Sequence, residues 1–194
     1  MQRQGVLTTF AVPVNMPIKK VESPKWYLLY TNPRAEKKVN EELKKRGFET
    51  FLPLHKTLKQ WSDRKKWVEE PLFKGYLFIH TELERNYFEI LNTPGVVKFV
   101  TFEKRPAVVD IREMELVKLI LGEFSDIESF EGYEMELIEG DEVEIIAGVL
   151  LGFTGRLIQY KGRNKVILVC KSFNQSLILE LPLAHIKKQT AVFI

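Results

Sequence analysis

The stretch Pro71-Leu72-Phe73-Lys74-Gly75-Tyr76-Leu77-Phe78-Ile79-His80 constrains the fold of this chain more than any other. A strand turns alternate side chains to opposite faces, so Leu77 and Ile79 point one way and Tyr76 and Phe78 the other. By the same alternation Phe73 shares the face of Leu77. A strand that is apolar on both faces has to be covered on both. One cover is expected from the chain's own helices; the other is either more of the chain or another protein. Gly75 lacks a side chain and lets something approach the backbone closely.

The surrounding pattern supplies the helices. Trp26-Tyr27-Leu28-Leu29-Tyr30, between Pro24 and Asn32-Pro33, predicts a buried strand. Asn32 as N-cap and Pro33 as first residue predict a helix to Arg46, closed by Gly47. Its inner stripe is Ala35, Val39 and Leu43, while Arg34, Lys37 and Lys38 lie outside. Phe48 to Leu54 predicts a strand interrupted by Pro53. A short helix over 84–91 turns Tyr87, Phe88 and Leu91 inward and stops at Thr93-Pro94-Gly95. A strand over 96–102 follows. Asp110 and Glu113 form a capping box for a helix carrying Met114, Val117, Ile120, Leu121 and Phe124. This order of elements gives an α+β domain over 25–124, an antiparallel sheet flanked by helices.

Residues 55–70 predict an exposed hairpin with its turn at Ser62-Asp63. Lys59, Arg64, Lys65 and Lys66 sit beside Trp61 and Trp67. Cations interleaved with aromatics hold nucleic acid through phosphate contacts and base stacking. A hairpin whose tryptophans pair across the strands, with solvated lysines, is the alternative.

Charge is spread unevenly. The net formal charge is +3, yet residues 25–66 hold 12 Lys and Arg against 5 Asp and Glu. That imbalance suits a phosphate backbone. Residues 125–139 hold 6 acidic side chains and no basic one, and are expected to be an interdomain linker. Residues 1–24 are expected to be a flexible leader without a signal peptide. From 140 to 194 short Val-, Ile- and Leu-rich strands alternate with turn-like gaps, which predicts a small all-β barrel.

Enzyme chemistry finds little support. His55, His80 and His185 are isolated, Cys170 is the single cysteine, and neither a phosphate-binding loop nor a dinucleotide glycine fingerprint is present. No cofactor or metal site is expected. No apolar run approaches the roughly 20 residues that span a bilayer, and a reducing cytoplasm is the expected location.

Several of these pieces together resemble the NusG family of transcription elongation factors. They are Trp26-Tyr27, the helix with Glu36 and Val39, Pro53, Phe73-x-Gly75-Tyr76-x-Phe78 and Asn92-Thr93-Pro94-Gly95-Val96. In the second part Gly140-Asp141-x-Val143, followed by Gly148, Gly152, Phe153 and Gly155, is similar to the KOW motif. The resemblance implies an SH3-like KOW barrel over 140–194. It implies a non-enzymatic factor that binds the clamp helices of RNA polymerase and favours processive elongation or antitermination. Phe73, Tyr76 and Phe78 would be the polymerase contacts, with Tyr76 and Phe78 direct. Lys37, Lys38, Lys65 and Lys66 would face the non-template DNA strand, with Trp61 or Trp67 stacking a base. Val149, Leu150, Phe153 and Phe173 would receive a small-subunit ribosomal protein or a termination factor. Lys74, where the family often has Pro, and the basic hairpin suggest a specialised paralogue, like those devoted to long surface-polysaccharide operons. A ribosome-associated RNA-binding protein using the KOW barrel is the alternative.

Overall fold

The structure, a computed structural model, describes residues 23–61, 64–125, 127–131, 140–160 and 162–189. The expected leader, up to residue 22, the expected turn at Ser62-Asp63, and residues 126 and 132–139 of the expected linker lie outside the described residues.

Strand β1 (Lys25–Thr31) leads into helix α1 (Glu36–Lys45), then β2 (Glu49–Phe51) and the hairpin β3 (Leu54–Gln60) and β4 (Lys65–Pro71). Strand β5 (Tyr76–Thr81), helix α2 (Leu83–Leu91) and β6 (Val96–Phe99) follow. A two-residue pair, β7 (Thr101–Phe102) and β8 (Arg105–Pro106), precedes helix α3 (Ile111–Glu123). The N-terminal sheet has the order β2-β5-β1-β6 and its pairs are antiparallel.

Both faces of β5 are covered, as the apolar alternation requires. Leu77 and Ile79 join Leu29, Val39, Leu43 and Ile90 in one core, beneath α1 and α2. Phe78 joins Leu28 in a second core with Met114, Val117 and Ile120 of α3. Phe73 corrects the parity argument. It belongs to the Phe78 core, because β5 begins only at Tyr76 and the turn before it breaks the alternation.

Helix α1 starts later than its Asn32-Pro33 signal. Arg34 adopts a left-handed φ of 65°, so the first helical residue is Glu36. Its end follows expectation: Gly47, at φ 86°, donates its N–H to Lys44 O and Phe48 to Leu43 O, a Schellman closure. In α2 the inward stripe is Leu83, Tyr87, Ile90 and Leu91, while Phe88 is 76% exposed, contrary to its predicted inward position. The spacing 83, 87, 90, 91 is one face of a helix, and Phe88 falls beside it.

The C-terminal part is an antiparallel sheet of six strands. β9 (Ile127–Glu131), β10 (Asp141–Ile145), β11 (Thr154–Tyr160), β12 (Arg163–Cys170), β13 (Gln175–Leu179) and β14 (Ile186–Lys188) lie in the order β14-β10-β11-β12-β13-β9. Residues 127–131, expected within the linker, therefore form an edge strand paired with β13 from Ile127↔Leu179 to Glu131↔Gln175. The acidic composition concealed a short strand whose Ile127 enters the core.

Candidate functional site

Three surfaces carry the residues singled out above. The first is the Phe78 face of the N-terminal sheet. The register Trp26↔His80, Leu28↔Phe78 and Tyr30↔Tyr76 sets two aromatic rows side by side. Trp26 stacks on His80 with centroids 5.1 Å apart, and Tyr30 meets Tyr76 edge-on at 5.4 Å. The Lys118 ammonium lies 5.8 Å from the Trp26 ring centroid and 5.5 Å from that of Phe51, tying α3 to the same face.

The centre of this face is closed by the C-terminal sheet. A 3-10 turn, Lys171–Phe173, ends in Asn174 at φ 53°, a conformation that asparagine tolerates better than most residues. Phe173, the last residue of that turn, packs into the core with Phe73 and Phe78. Its ring centroid lies 5.4 Å from Phe73 and 5.2 Å from Phe78, both edge-on. Phe73, Phe78 and Phe173 are all buried, and Tyr76 is half-buried.

Polar contacts rim the aromatic cluster. The Glu113 carboxylate accepts the Lys171 N–H at 2.7 Å, the Ser172 N–H at 3.0 Å and the Ser172 hydroxyl. Ser172 Oγ in turn accepts the Asp110 N–H at 3.1 Å. The Ser129 hydroxyl donates to Leu72 O. The Asp110 side chain caps Arg112 N–H at 2.8 Å as the sequence predicts, but Glu113 does not complete the capping box; it reaches across to the 3-10 turn instead. Sequence reasoning missed Ser172 altogether, because a lone serine in a strand-end turn carries no signal of a distant partner.

The second surface is the β3–β4 hairpin. Leu58 opposes Trp67 and Lys59 opposes Lys66. The ladder extends to Trp61, whose N–H donates to Arg64 O at 2.8 Å. Alternation then places Trp61 on the face of Lys59 and Lys66, and Trp67 on the face of Leu58 and Lys65. The two tryptophans, 52% and 62% exposed, lie on opposite faces and do not pair across the strands. Lys37 spans from α1 to the hairpin, donating to Glu69 O at 2.8 Å, and Lys38 is exposed on α1.

At the base of the hairpin, Tyr30, Arg34, Lys37, Lys59, Lys74 and Gly75 line part of a cleft of about 560 Å³. Buried Glu36 is fixed there by accepting the Gly75 N–H at 2.7 Å. The tight approach expected at Gly75 is that of Tyr30: a Cβ on Gly75 would stand 3.2 Å from the Tyr30 ring.

The third surface is the turn between β10 and β11. Val149 and Leu151 are exposed, Leu150 is buried, and Phe153 packs partly buried against the core. Phe173 lies away from this turn's solvent side, inside the aromatic cluster. Among the described residues no group of His, Cys, Asp and Glu is arranged to hold a metal. No helix there is long and apolar enough to cross a membrane.

Comparison with known proteins points the same way as the residues. The family model described as "Transcription termination factor nusG" matches residues 24–118. The chain is 27% identical over 175 residues to the transcription termination/antitermination protein NusG of Streptococcus pyogenes serotype M3, covering 83% of this chain and 94% of that one. It is 26% identical over 183 residues to the NusG of Thermus thermophilus, covering 86% and 99%. Among solved structures, Thermotoga maritima NusG, determined for its domain interaction, matches with a TM-score of 0.55 at 24% identity over 86% of this chain and 97% of that one. At that identity the likeness concerns the fold.

Proposed function

The chain belongs to the NusG family, and on that premise we propose that it docks on the clamp helices of RNA polymerase through the Phe78 face and favours processive elongation or antitermination. The observation that carries this reading is the aromatic row Tyr30, Tyr76 and Phe78 on one face of a two-faced sheet. α3 and the C-terminal sheet cover that face without extending the N-terminal sheet itself. A cover attached through a short connection can leave and be replaced by another apolar partner. Fully burying one such aromatic contributes about 1.5–3 kcal/mol, and two or three adjacent ones make a hot spot. Tyr76 and Phe78 are the direct contacts, and Phe73, which meets the same Phe173 ring as Phe78, flanks them on that side.

Docking then needs no catalysis and no cofactor. A factor that binds the closed clamp better than the open one shifts polymerase towards its elongating state, by no more than the difference in affinity. With Phe173 on Phe78, docking and closure exclude each other. The six-stranded C-terminal sheet is the KOW unit of this reading, working in the cytoplasm. Once released, its Val149, Phe153 and Phe173 meet a ribosomal or termination protein, with buried Leu150 anchoring the turn that carries Val149.

The hairpin meets the non-template DNA strand. Lys66 and Trp61 share a face suited to phosphate and base, joined by Lys59. Lys65 and Trp67 lie on the other side, and Lys37 and Lys38 extend the cationic surface along α1. The basic hairpin and Lys74 fit a factor specialised for particular long operons.

Capture of core RNA polymerase by the full chain, wild type against Tyr76→Ala/Phe78→Ala, tests this reading, with circular dichroism confirming that both are folded. Capture should fall at least about tenfold in the double variant. Unchanged capture moves the interface elsewhere. No capture by either protein, together with RNA binding by the full chain, turns the assignment to the ribosome-associated alternative.

A further inference from the structure

We propose that Asp110, Glu113 and Ser172 form an exchangeable helix cap, in which the N-terminus of α3 is capped by the C-terminal sheet when the chain is closed and by its own Glu113 when it opens. The inference rests on the docking reading for its consequence, since it sets how readily the Phe78 face becomes available.

The first N–H groups of a helix have no partner within it. At the start of α3 the Asp110 carboxylate takes the Arg112 N–H, which leaves the Asp110 N–H to be satisfied. The sequence Asp110-x-x-Glu113 has the residue types to do this locally, with Glu113 reaching back. In the closed chain that place is taken by Ser172 Oγ, which accepts the Asp110 N–H at 3.1 Å. Glu113 is thereby free for the 3-10 turn. It accepts the Lys171 N–H at 2.7 Å, the Ser172 N–H at 3.0 Å and the Ser172 hydroxyl. One serine thus bridges cap donor and cap carboxylate, and both partners lie about sixty positions away in the chain, at separations of 62 and 59.

The two arrangements share their groups and cannot coexist. In the closed chain the Asp110 N–H is held by Ser172 Oγ, and the Glu113 carboxylate is turned to Lys171 and Ser172 instead of back to its own helix start. When the C-terminal sheet leaves, Ser172 goes with it, and Glu113 moves to the Asp110 N–H. The helix therefore keeps a protein acceptor for its Asp110 N–H on opening, in place of water. Hydrogen bonds to a charged acceptor are the stronger kind, so Glu113 holds the closed form firmly. Its alternative partner keeps the open form accessible. Ser172 precedes Phe173, so the device adjoins the Phe73–Phe78–Phe173 cluster.

The test uses the full chain. Spin labels on Glu115→Cys and Leu183→Cys, both exposed positions, report opening, with Cys170 buried and unlabelled. Amide exchange at Asp110 reports the cap. Ser172→Ala should raise the ratio of open to closed chain about tenfold, since it removes the hydroxyl's bond to the Glu113 carboxylate and the acceptor of the Asp110 N–H. The Asp110 N–H should nevertheless stay protected, because Glu113 takes it over. In Ser172→Ala/Glu113→Ala that protection should be lost. Glu113→Gln, which keeps a capping-box side chain but loses the charge, should also open the chain with Asp110 still protected. The proposal is overturned if Ser172→Ala leaves the label distances unchanged, or if it exposes Asp110 as fully as the double variant does. Loss of Asp110 protection in Glu113→Gln overturns it as well. If exchange is seen but polymerase is not captured by any of these proteins, the docking reading fails and the cap exchange stands.

Discussion

The Phe173 ring stands perpendicular to that of Phe78, with centroids 5.2 Å apart, and so plugs the face that the proposed function assigns to polymerase. Both side chains are buried and share one core with α3. Removing a buried phenylalanine typically costs about 3–5 kcal/mol, part of it from the cavity left behind. Here the closed arrangement bears that loss, because Phe173 is carried on a turn at the border of its own sheet. Phe173→Ala is therefore expected to raise polymerase capture by the full chain, the opposite sign to Tyr76→Ala/Phe78→Ala. Lowered capture by folded Phe173→Ala would mean that Phe173 assists docking instead of blocking it.

Glu36 is a buried carboxylate held against the backbone of Gly75. Glu36→Ala leaves the Gly75 N–H without its acceptor and should cost about 1–3 kcal/mol in denaturant unfolding. Glu36→Gln keeps an acceptor oxygen and should lose clearly less. Equal losses in the two variants would show that charge, not the hydrogen bond, matters at this position.

Gly155 lies in β11 where the backbone of β12 passes close by. A Cβ there would stand 2.5 Å from Ile167 O and 2.7 Å from Val166 Cγ1. The backbone cannot yield without shifting the β11–β12 ladder. Gly155→Ala should destabilise the C-terminal sheet by at least about 1–3 kcal/mol, the usual cost of forcing extra atoms into a filled site. Thermal unfolding checks this; an unchanged midpoint would show that the ladder yields freely.

These cases show how far local pattern carries. Leu77, Ile79 and Phe78 were legible because strand alternation is a rule about neighbours in sequence, and the two cores follow it. Phe73 was misplaced for the same reason: the rule ends where the strand ends. Gly47 was legible as a helix stop, whereas Asn32 was not the start, since Arg34 turns left-handed before the helix begins, a conformation that residue type does not announce. β9 was hidden by its acidic composition, because its pairing with β13 is invisible to a window of a few residues. The aromatic and basic candidates could be named, but which tryptophan shares a face with which lysine depended on hairpin register.

His55 lies at the base of the hairpin with Nδ1 buried and without a hydrogen-bond partner among the described residues. Burial lowers its pKa from 6.5, Glu70 pulls it back up, and Lys74 lowers it further. The unfolded chain therefore binds the proton more readily than the folded one. The corresponding stability is complete above about pH 6.5 and is lost progressively as pH falls below that towards the lowered folded value. Glu70 acts in a separate, more acidic window: the hydrogen bond from Lys59 lowers its carboxyl below 4.5, so its contribution fades only as pH falls below that. The unfolding midpoint should drop between about pH 7.5 and 5.5, and the drop should shrink in His55→Gln. A midpoint that is flat across this range in the wild type would place the hairpin base in solvent.

The hairpin makes the sharpest demand, because its two faces separate residues that are neighbours in sequence. Lys59 and Lys66 are directly opposite and share the side of Trp61, while Lys65 shares the side of Trp67. A single strand of nucleic acid lying on one face touches one set and not the other. Each phosphate neutralised contributes about 0.7 to the slope of log affinity against log salt for a single strand. Lys59 is already paired with Glu70, so the test falls on Lys66: Lys66→Ala should reduce that slope by about 0.7, and Trp61→Ala should weaken binding by about 1–3 kcal/mol through lost stacking. Trp67→Ala should leave both quantities nearly unchanged. The measurement is a salt titration of the full chain on a single-stranded DNA oligonucleotide. The reverse pattern, with Trp67 sensitive and Trp61 indifferent, would put the strand on the Leu58 face and leave the Trp61 face for protein.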